Sequence, residues 1–209
     1  MTEFRLPPLV ADFSQLWLQA DVRGDNADWA AQAAADLLSR PQWAAYRTVD
    51  GEQRLTALLR QAAVIARKQA GGSASMGFIL FPSPEEGIKG MAAFSPVDLA
   101  GRDAAEAWDD LLDQLAPDVP SDYPRDITAM ETKAGECRRL RMRYAAGDGP
   151  ERSIGEHVAY LWVFGEYGAA VMMTISFPSL LEAARWLPAL DELAAGVWLQ
   201  ELPGEDGPS

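Results

Sequence analysis

The chain has 209 residues, of which 48% are hydrophobic and 23% are charged, as in an ordinary globular protein. A chain of this length buries enough surface to fold without disulfides or a structural metal. Its net charge of −13 argues against a nucleic-acid partner, because proteins that bind DNA or RNA present basic surfaces. The basic residues are 15 arginines and three lysines, which with the abundant alanine and glycine indicates a GC-rich bacterial genome.

The cellular compartment is indicated by what the sequence lacks. Cys137 is the only cysteine, so neither an intramolecular disulfide nor a cysteine-rich metal site is possible. The first eight residues do not show the basic and then apolar pattern of a signal peptide. No apolar run approaches the roughly 20 residues that a membrane-spanning helix needs. We therefore expect a cytoplasmic protein that does not associate with membranes.

The first half of the chain reads mainly as helices. Residues 1–26 are rich in Pro, Asp and Gly and are interpreted as an arm that docks on the core, with a short apolar set at residues 13–17. Apolar residues at helical spacing then predict a helix that begins at Asp25 or Asn26 and stops at Pro41. The same period predicts two further helices and, between them, a β-hairpin. These elements are a helix over 52–68, strands over 75–81 and 88–94, and a helix over 102–115. The helix over 52–68 is expected to bury one stripe of apolar residues: Leu55, Leu58, Leu59, Ala62, Ile65 and Ala66.

The second half reads as an antiparallel meander. Four alternating segments predict strands over 127–132, 136–144, 156–164 and 169–177, the last two closed by the turn Gly165–Gly168. The strands over 136–144, 156–164 and 169–177 are expected to be consecutive antiparallel neighbours. A helix then runs from Leu180 to near Trp198. The acidic residues 201–209 are expected to be a disordered tail.

Most of these strands follow one another without an intervening helix, which argues against a parallel sheet built from β-α-β units. We therefore predict an α+β fold, with about six antiparallel strands packed against helices. No shift in composition divides the chain, so residues 1–200 are expected to form a single domain.

The second half also resembles a known superfamily. The segments that carry the resemblance are the strand 127–132, the turn-forming run 134–138, the hairpin 158–177 and the closing helix 180–198. In these segments the chain resembles the Mog1/PsbP-like superfamily. In that superfamily a strand leads to a small-Gly-x-x-Arg turn, followed by a meander and a terminal helix. The resemblance covers about the last 80 residues. It implies an α/β sandwich and, because the superfamily hosts unrelated binding and assembly roles, says more about fold than about activity.

The sequence contains no motif that indicates a specific catalytic reaction. His157, the only histidine, shares a strand face with Ala159, Leu161 and Val163, and could act as a general base. No nucleophile can be identified beside it, so we interpret it as a strand residue with a local partner. Cys137 lies beside two arginines that could favour its thiolate, but without a second cysteine or a nearby histidine we expect an inert, partly buried thiol. We predict no catalytic residue, metal or cofactor.

Arg139, Arg141 and Arg143 alternate along one predicted strand and place three guanidinium groups on one face. Such a strip could bind an anion or an acidic partner, because guanidinium groups match carboxylates and phosphates. It could equally be a solvated face whose arginines pair with acidic residues of the same chain. We expect the second arrangement, in which Arg→Ala at each of the three positions changes stability by less than about 1 kcal/mol.

The seven tryptophans divide into two groups. Five fall in or beside predicted helices and strands and are expected to be core residues. Trp17 and Trp43 fall in irregular segments, so we predict that they form an exposed contact surface.

Together these patterns favour a non-enzymatic protein-binding or assembly module with a protein partner. The alternative is a small-ligand-binding protein or an enzyme whose pocket lies between sheet and helices. A deep cleft lined by His157 and carboxylates would favour the alternative, and an exposed apolar patch would favour the module. The sequence leaves the partner's identity and the oligomeric state open.

Overall fold

The computed structural model describes residues 6–20, 26–69, 76–114, 125–146 and 153–200. The helices in this part are α1 (Asn26–Ser39), α2 (Val49–Gln69), α3 (Ala104–Gln114) and α4 (Leu180–Ala195), with short 3-10 helices at Pro41–Tyr46 and Gly165–Tyr167. The strands are β1 (Leu9–Ala11), β2 (Trp17–Ala20), β3 (Met76–Leu80), β4 (Gly90–Asp98), β5 (Asp126–Thr132), β6 (Gly135–Ala146), β7 (Ser153–Phe164), β8 (Ala169–Phe177) and β9 (Val197–Leu199). No described helix is both long and apolar enough to cross a membrane.

Seven of these strands form one antiparallel sheet in the order β2-β3-β4-β8-β7-β6-β5. The α+β class and the antiparallel sheet are confirmed, with seven strands where about six were predicted. Strands β6, β7 and β8 are consecutive neighbours, as the alternation and the short turn predicted. That turn closes on Gly168, whose backbone φ of +60° suits glycine. Strands β1 and β9 pair separately.

Helices cover both faces of the sheet. Helix α4 and the β1–β9 pair pack on one face, against a core that includes Phe78 and Trp162. Helices α1 and α2 pack on the other face over β2, β3 and β4, against residues such as Ile79. Helix α3 covers the same face farther along, against Leu140 and Leu161. Neighbours such as Phe78 and Ile79 enter different cores because successive strand residues point to opposite faces.

The N-terminal segment is built into the sheets. Its described part, residues 6–20, forms β1 and β2, where a docking arm or short helix was expected. Strand β2 pairs with β3 at one edge of the main sheet, and β1 pairs with β9. The segment contributes Trp17 and Leu18 to opposite faces, so its apolar residues follow the period of a strand. The predicted acidic tail, residues 201–209, lies outside the described residues.

The predicted end of the last helix is wrong. Helix α4 stops at Ala195, and Trp198 lies in β9. The chain leaves the helix at Gly196, whose carbonyl accepts a hydrogen bond of 3.0 Å from the backbone N–H of Asp12. A side chain at Gly196 would collide with the carbonyl oxygen of Asp12. This close passage lets β1 capture the following residues as a strand.

Strand β4 continues through Pro96 to Asp98, whereas the sequence predicted its end at Phe94. Pro96 pairs in register with Val171 of β8, whereas β3 accompanies β4 only as far as Phe94. Among the residues that the structure describes, β4 beyond Phe94 has a strand neighbour on one side alone. A proline, which lacks an N–H, is tolerated in a strand where one side needs no ladder hydrogen bond.

Candidate binding surfaces

The arginine strip lies on β6, on the face that α4 covers. In the registers of the sheet Arg139 is opposite Tyr160, and Arg143 is opposite Glu156. The alternate residues Leu140 and Met142 are buried on the other face. The predicted alternation of this strand is therefore confirmed.

Arg139 belongs to a network between the sheet and α4. Its Nη1 is 2.7 Å from Asp191 Oδ2, and its Nη2 donates to the Thr128 hydroxyl at 3.3 Å. The Tyr160 hydroxyl donates to the other oxygen of Asp191 at 2.7 Å. Burial, and then the negative charge of Asp191, raise the pKa of Tyr160, so this hydroxyl keeps its proton and remains a donor. The network ties α4 to strands β5, β6 and β7.

Arg141 holds the only buried charged side chain among the described residues, Glu156, which is 2% exposed. The guanidinium meets the carboxylate through two hydrogen bonds, from Nε to Oε1 and, at 3.1 Å, from Nη2 to Oε2. A second carboxylate, Asp126, is 3.8 Å away. The hydrogen bonding of Arg141 to the Glu156 carboxylate raises the pKa of Arg141. This two-pronged geometry suits an ion pair withdrawn from water.

The expected neutralisation of the strip is therefore confirmed for Arg139 and Arg141. Arg143 is exposed, faces Glu156 in register and is not free of partners either. The carboxylates that pair with Arg139 and Arg141 occupy the positions that a bound anion would take. The strip therefore acts mainly as internal structure.

The prediction that Trp17 and Trp43 are exposed is wrong. Trp17 is 1% exposed, because β2 places its ring beneath α4, where its Nε1 donates to the carbonyl of Ala189 at 3.3 Å. Trp43 is 2% exposed, because the 3-10 helix folds it against Phe81 with ring centroids 4.9 Å apart. Both rings belong to the core, although Trp43 also lines a pocket at the surface.

This pocket lies where the 3-10 helix, the start of α2 and the β3–β4 connection meet. It has a volume of about 320 Å³. Its apolar walls include Trp43, Tyr46, Phe81 and Leu58, and Arg54 also borders it. Thr48 forms the N-cap of α2, with its hydroxyl accepting a hydrogen bond from the N–H of Gly51 at 3.0 Å. The cap holds the first turn of α2 in place, and this turn forms one wall of the pocket.

Large exposed apolar residues concentrate on α2 and just before it, two of them at this pocket and three along an open groove of the helix. The described residues contain nine such side chains, and five of them fall between positions 46 and 65. We name these five the α2 surface: Tyr46, Val49, Leu58, Val64 and Ile65. The sequence pattern had assigned Leu58 and Ile65 to the buried stripe of the helix, which is wrong. Leu55, Leu59, Ala62 and Ala66 fill that stripe, and Leu58 and Ile65 lie on its flank.

His157 lies away from the pocket, on the face of β7 that was predicted. Its Nδ1 is 2.8 Å from the hydroxyl of Ser176 on β8, which is the local partner expected for a strand histidine. Burial lowers the pKa of His157 below its usual 6.5. No carboxylate is hydrogen bonded to the ring among the described residues.

This lowered pKa predicts a pH dependence of stability. Because the unfolded chain binds a proton more readily than the folded one, the contribution of His157 is fully present above pH 6.5 and is lost as the pH falls towards the folded pKa. We expect His157→Gln to weaken this acid-side loss. Chemical unfolding of both proteins across about pH 5 to 8 measures it. Parallel pH profiles would contradict the assignment.

Cys137 is completely buried in the core beneath α4. Burial is the largest effect on its thiol and raises the pKa well above the ordinary value, so the neighbouring arginines do not produce a thiolate. The partly buried thiol that was expected is a fully buried one. Among the described residues no three His, Cys, Asp or Glu side chains come together as a metal site would require.

Comparison with known proteins adds no family. No family model matches the chain, and no curated protein matches it in sequence.

Proposed function

We propose that this protein is a non-enzymatic protein-binding module that contacts its partner through the α2 surface. The observation that carries the proposal is that five of the nine exposed large apolar side chains among the described residues fall on α2 and the residues just before it, where Tyr46 and Leu58 line an aromatic pocket and Val49, Val64 and Ile65 line an open groove along the helix. Exposed apolar side chains gathered into a patch are typical of interaction sites, whereas isolated ones are ordinary. The cytoplasm of a bacterium as its location, and membership of the Mog1/PsbP-like superfamily, are parts of the same proposal.

The arrangement has the parts of a protein interface. The pocket offers a preformed place for one apolar anchor side chain, and such anchors contribute most of the energy of many interfaces. Leu58 lies at the pocket, and Ile65 follows it two helical turns later, so a partner segment lying along α2 would meet both. Charged residues of the helix, including Arg54, Arg60 and Lys68, are exposed and would form the polar rim.

A small ligand is the alternative occupant of the pocket. Its volume of about 320 Å³ lies at the small end of the range for ligand sites, about 300–1,000 Å³. A protein partner is favoured because Val49, Val64 and Ile65 lie outside this pocket, along a separate open groove of α2, and a ligand of that size would leave them uncovered. Neither His157 nor the arginine strip lines this pocket.

Photo-crosslinking tests the proposal. With a photoreactive amino acid in place of Tyr46, we expect a discrete adduct with one protein in the native host. Because Ile65 is partly exposed, Ile65→Asp should leave the fold intact and abolish the adduct. Leu181→Asp is the matched control, since Leu181 is 80% exposed on α4, on the opposite face of the sheet. The purified partner should bind Ile65→Asp at least about tenfold more weakly than the unchanged protein.

Two results would reject the module. One is an adduct that persists in Ile65→Asp, because the captured protein would then not be held by the α2 surface. The other is a small molecule of discrete mass that stays bound to the purified protein in native mass spectrometry and is lost in Leu58→Asp. That second result would establish the ligand-binding alternative.

A further inference from the structure

Strand β5 forms one edge of the main sheet. It pairs with β6 along one side, and no described strand pairs with its other side. At the opposite edge of the sheet, β2 is only four residues long. An unpaired edge presents a row of backbone donors and acceptors, so proteins commonly keep such strands short, bulged or interrupted by proline.

Strand β5 has none of these three protections. It is seven residues long, contains no proline, and keeps an unbroken register from Asp126–Arg141 to Thr132–Gly135. Of its two acidic residues, Asp126 is turned towards Arg141 at 3.8 Å, and Glu131 is exposed. Ile127 is 50% exposed although it is a large apolar residue in a strand. The edge is therefore regular, partly apolar and suited to pairing.

The backbone of β5 fixes which residues can bond outward. The hairpin turns through the two residues Lys133 and Ala134, so Thr132 and Gly135 form its closing hydrogen-bonded pair. Hydrogen-bonded and non-hydrogen-bonded pairs alternate along an antiparallel ladder, so Thr132, Met130 and Thr128 bond to β6. The N–H and C=O groups of Glu131, Ala129 and Ile127 therefore point to the open edge.

We propose that two copies of this chain pair antiparallel through their β5 edges, about a two-fold axis at Thr128. In this register Ile127 lies opposite Ala129 of the second copy, and both residues have outward-pointing backbone groups. Arg125 lies opposite Glu131 of the second copy. Thr128 meets Thr128 as a non-hydrogen-bonded pair. The two seven-stranded sheets become one continuous sheet, and the interface is isologous, as a two-fold dimer requires.

The charges select this register among the symmetric ones, because only here is β5 complementary to itself. Shifting the axis to Ala129 would put Arg125 opposite Lys133 of the other chain, which is repulsive. Shifting it to Ile127 would put Arg125 opposite Ala129 and lose the ion pair. With the axis at Thr128 the Arg125–Glu131 pair forms twice.

Disulfide trapping tests the register directly. Non-hydrogen-bonded pairs place their Cα atoms about 4.5 Å apart, within the range of about 4.4–6.8 Å that a disulfide spans. We expect Thr128→Cys to give a covalent dimer under mild oxidation. Ala129→Cys is the matched control and should give little, because its opposite residue is Ile127. The native Cys137 is buried and should not interfere.

Sedimentation of the full chain tests the association itself. We expect a concentration-dependent rise from the chain mass of 22.7 kDa to twice that value. Glu131→Arg should return the protein to monomer, and Arg125→Glu combined with Glu131→Arg should restore the dimer. Ala129→Pro removes one outward N–H and should also give monomer while the circular dichroism spectrum is kept.

A monomer at every soluble concentration would overturn the proposal and leave the edge to a different protein. A dimer that survives Ala129→Pro would also overturn it, because the contact would then lie elsewhere. So would equal trapping at positions 128 and 129. The proposal is independent of the α2 surface, because α2 packs near β3 and β4, at the other end of the sheet. Ile65→Asp should therefore leave dimerisation unchanged.

Discussion

Replacing Trp17 with alanine is expected to lower the free energy of unfolding by about 3–5 kcal/mol, the cost of removing a large aromatic side chain from a packed core. The ring is 1% exposed and lies between the sheet and α4. Its Nε1 donates to the carbonyl of Ala189, so the truncation also removes a buried hydrogen bond between β2 and α4. Urea unfolding of both proteins measures the difference.

Two further variants make this result specific. Trp17→Phe should cost less than Trp17→Ala, because it keeps most of the apolar volume and loses only the hydrogen bond and part of the ring. Leu181→Ala is the surface control, and it should change stability by about 0.5 kcal/mol or less. A Trp17→Ala protein of unchanged stability that no longer binds a partner would instead restore the interpretation of Trp17 as a contact residue.

The prediction that Trp17 is exposed was wrong because strand β2 cannot be recognised from the local sequence. Strand β2 has four residues, too few for alternation to stand out from the surrounding Pro, Asp and Gly. The strand exists because β3 pairs with it, and β3 lies almost 60 residues later in the chain. Trp43 was misjudged for a similar reason. Its burial depends on Phe81, a contact between distant parts of the sequence.

The second half of the chain was predictable because its information is local. Strands β6, β7 and β8 are long enough to display their alternation, and one short turn joins β7 to β8. Each strand therefore finds its neighbour without a distant segment. The error at the end of α4 again came from a distant partner, since β1 draws the residues after Gly196 into a strand.

Only part of the α2 surface could be predicted from the sequence. Helix α2 was predicted, but Leu58 and Ile65 were assigned to the same buried stripe as Leu55 and Leu59. Leu58 and Leu59 are consecutive and so point about 100° apart, which is too wide for a single stripe on a helix that packs on one side. That excess was the available signal for an exposed apolar flank. The pocket itself could not be foreseen, because Phe81 and Trp43 meet only in the folded chain.

The ion pair between Glu156 and Arg141 was also not predicted from the sequence. Because of it, the three arginines of the strip differ in their contribution to stability. The carboxylate of Glu156 is in the sheet's interior, on the same face as Val158 and Tyr160. Burial of a charge is costly unless an opposite charge and hydrogen bonds compensate for it. Arg141 supplies both through its two hydrogen bonds. Replacement by alanine was expected to cost little stability at every position of the strip. The structure shows that Arg141 differs, because it compensates the buried charge of Glu156.

Arg141→Ala is therefore expected to lower the free energy of unfolding by about 3–5 kcal/mol, because it leaves the buried carboxylate of Glu156 without its partner. Arg143→Ala is the matched control on the same strand and face. Because Arg143 is exposed, its replacement should cost about 1 kcal/mol or less. Chemical unfolding of the two variants in the same buffer gives the comparison.

A double variant separates the lost pair from a general loss of packing. Adding Glu156→Gln to Arg141→Ala removes the stranded charge, so it should recover part of the stability that the single variant loses. If packing of the arginine side chain were the cause, the double variant would be no more stable than Arg141→Ala. Equal and small effects of Arg141→Ala and Arg143→Ala would show that Glu156 finds water or another cation once Arg141 is gone. The ion pair with Arg141 would then not be what stabilises the buried carboxylate of Glu156.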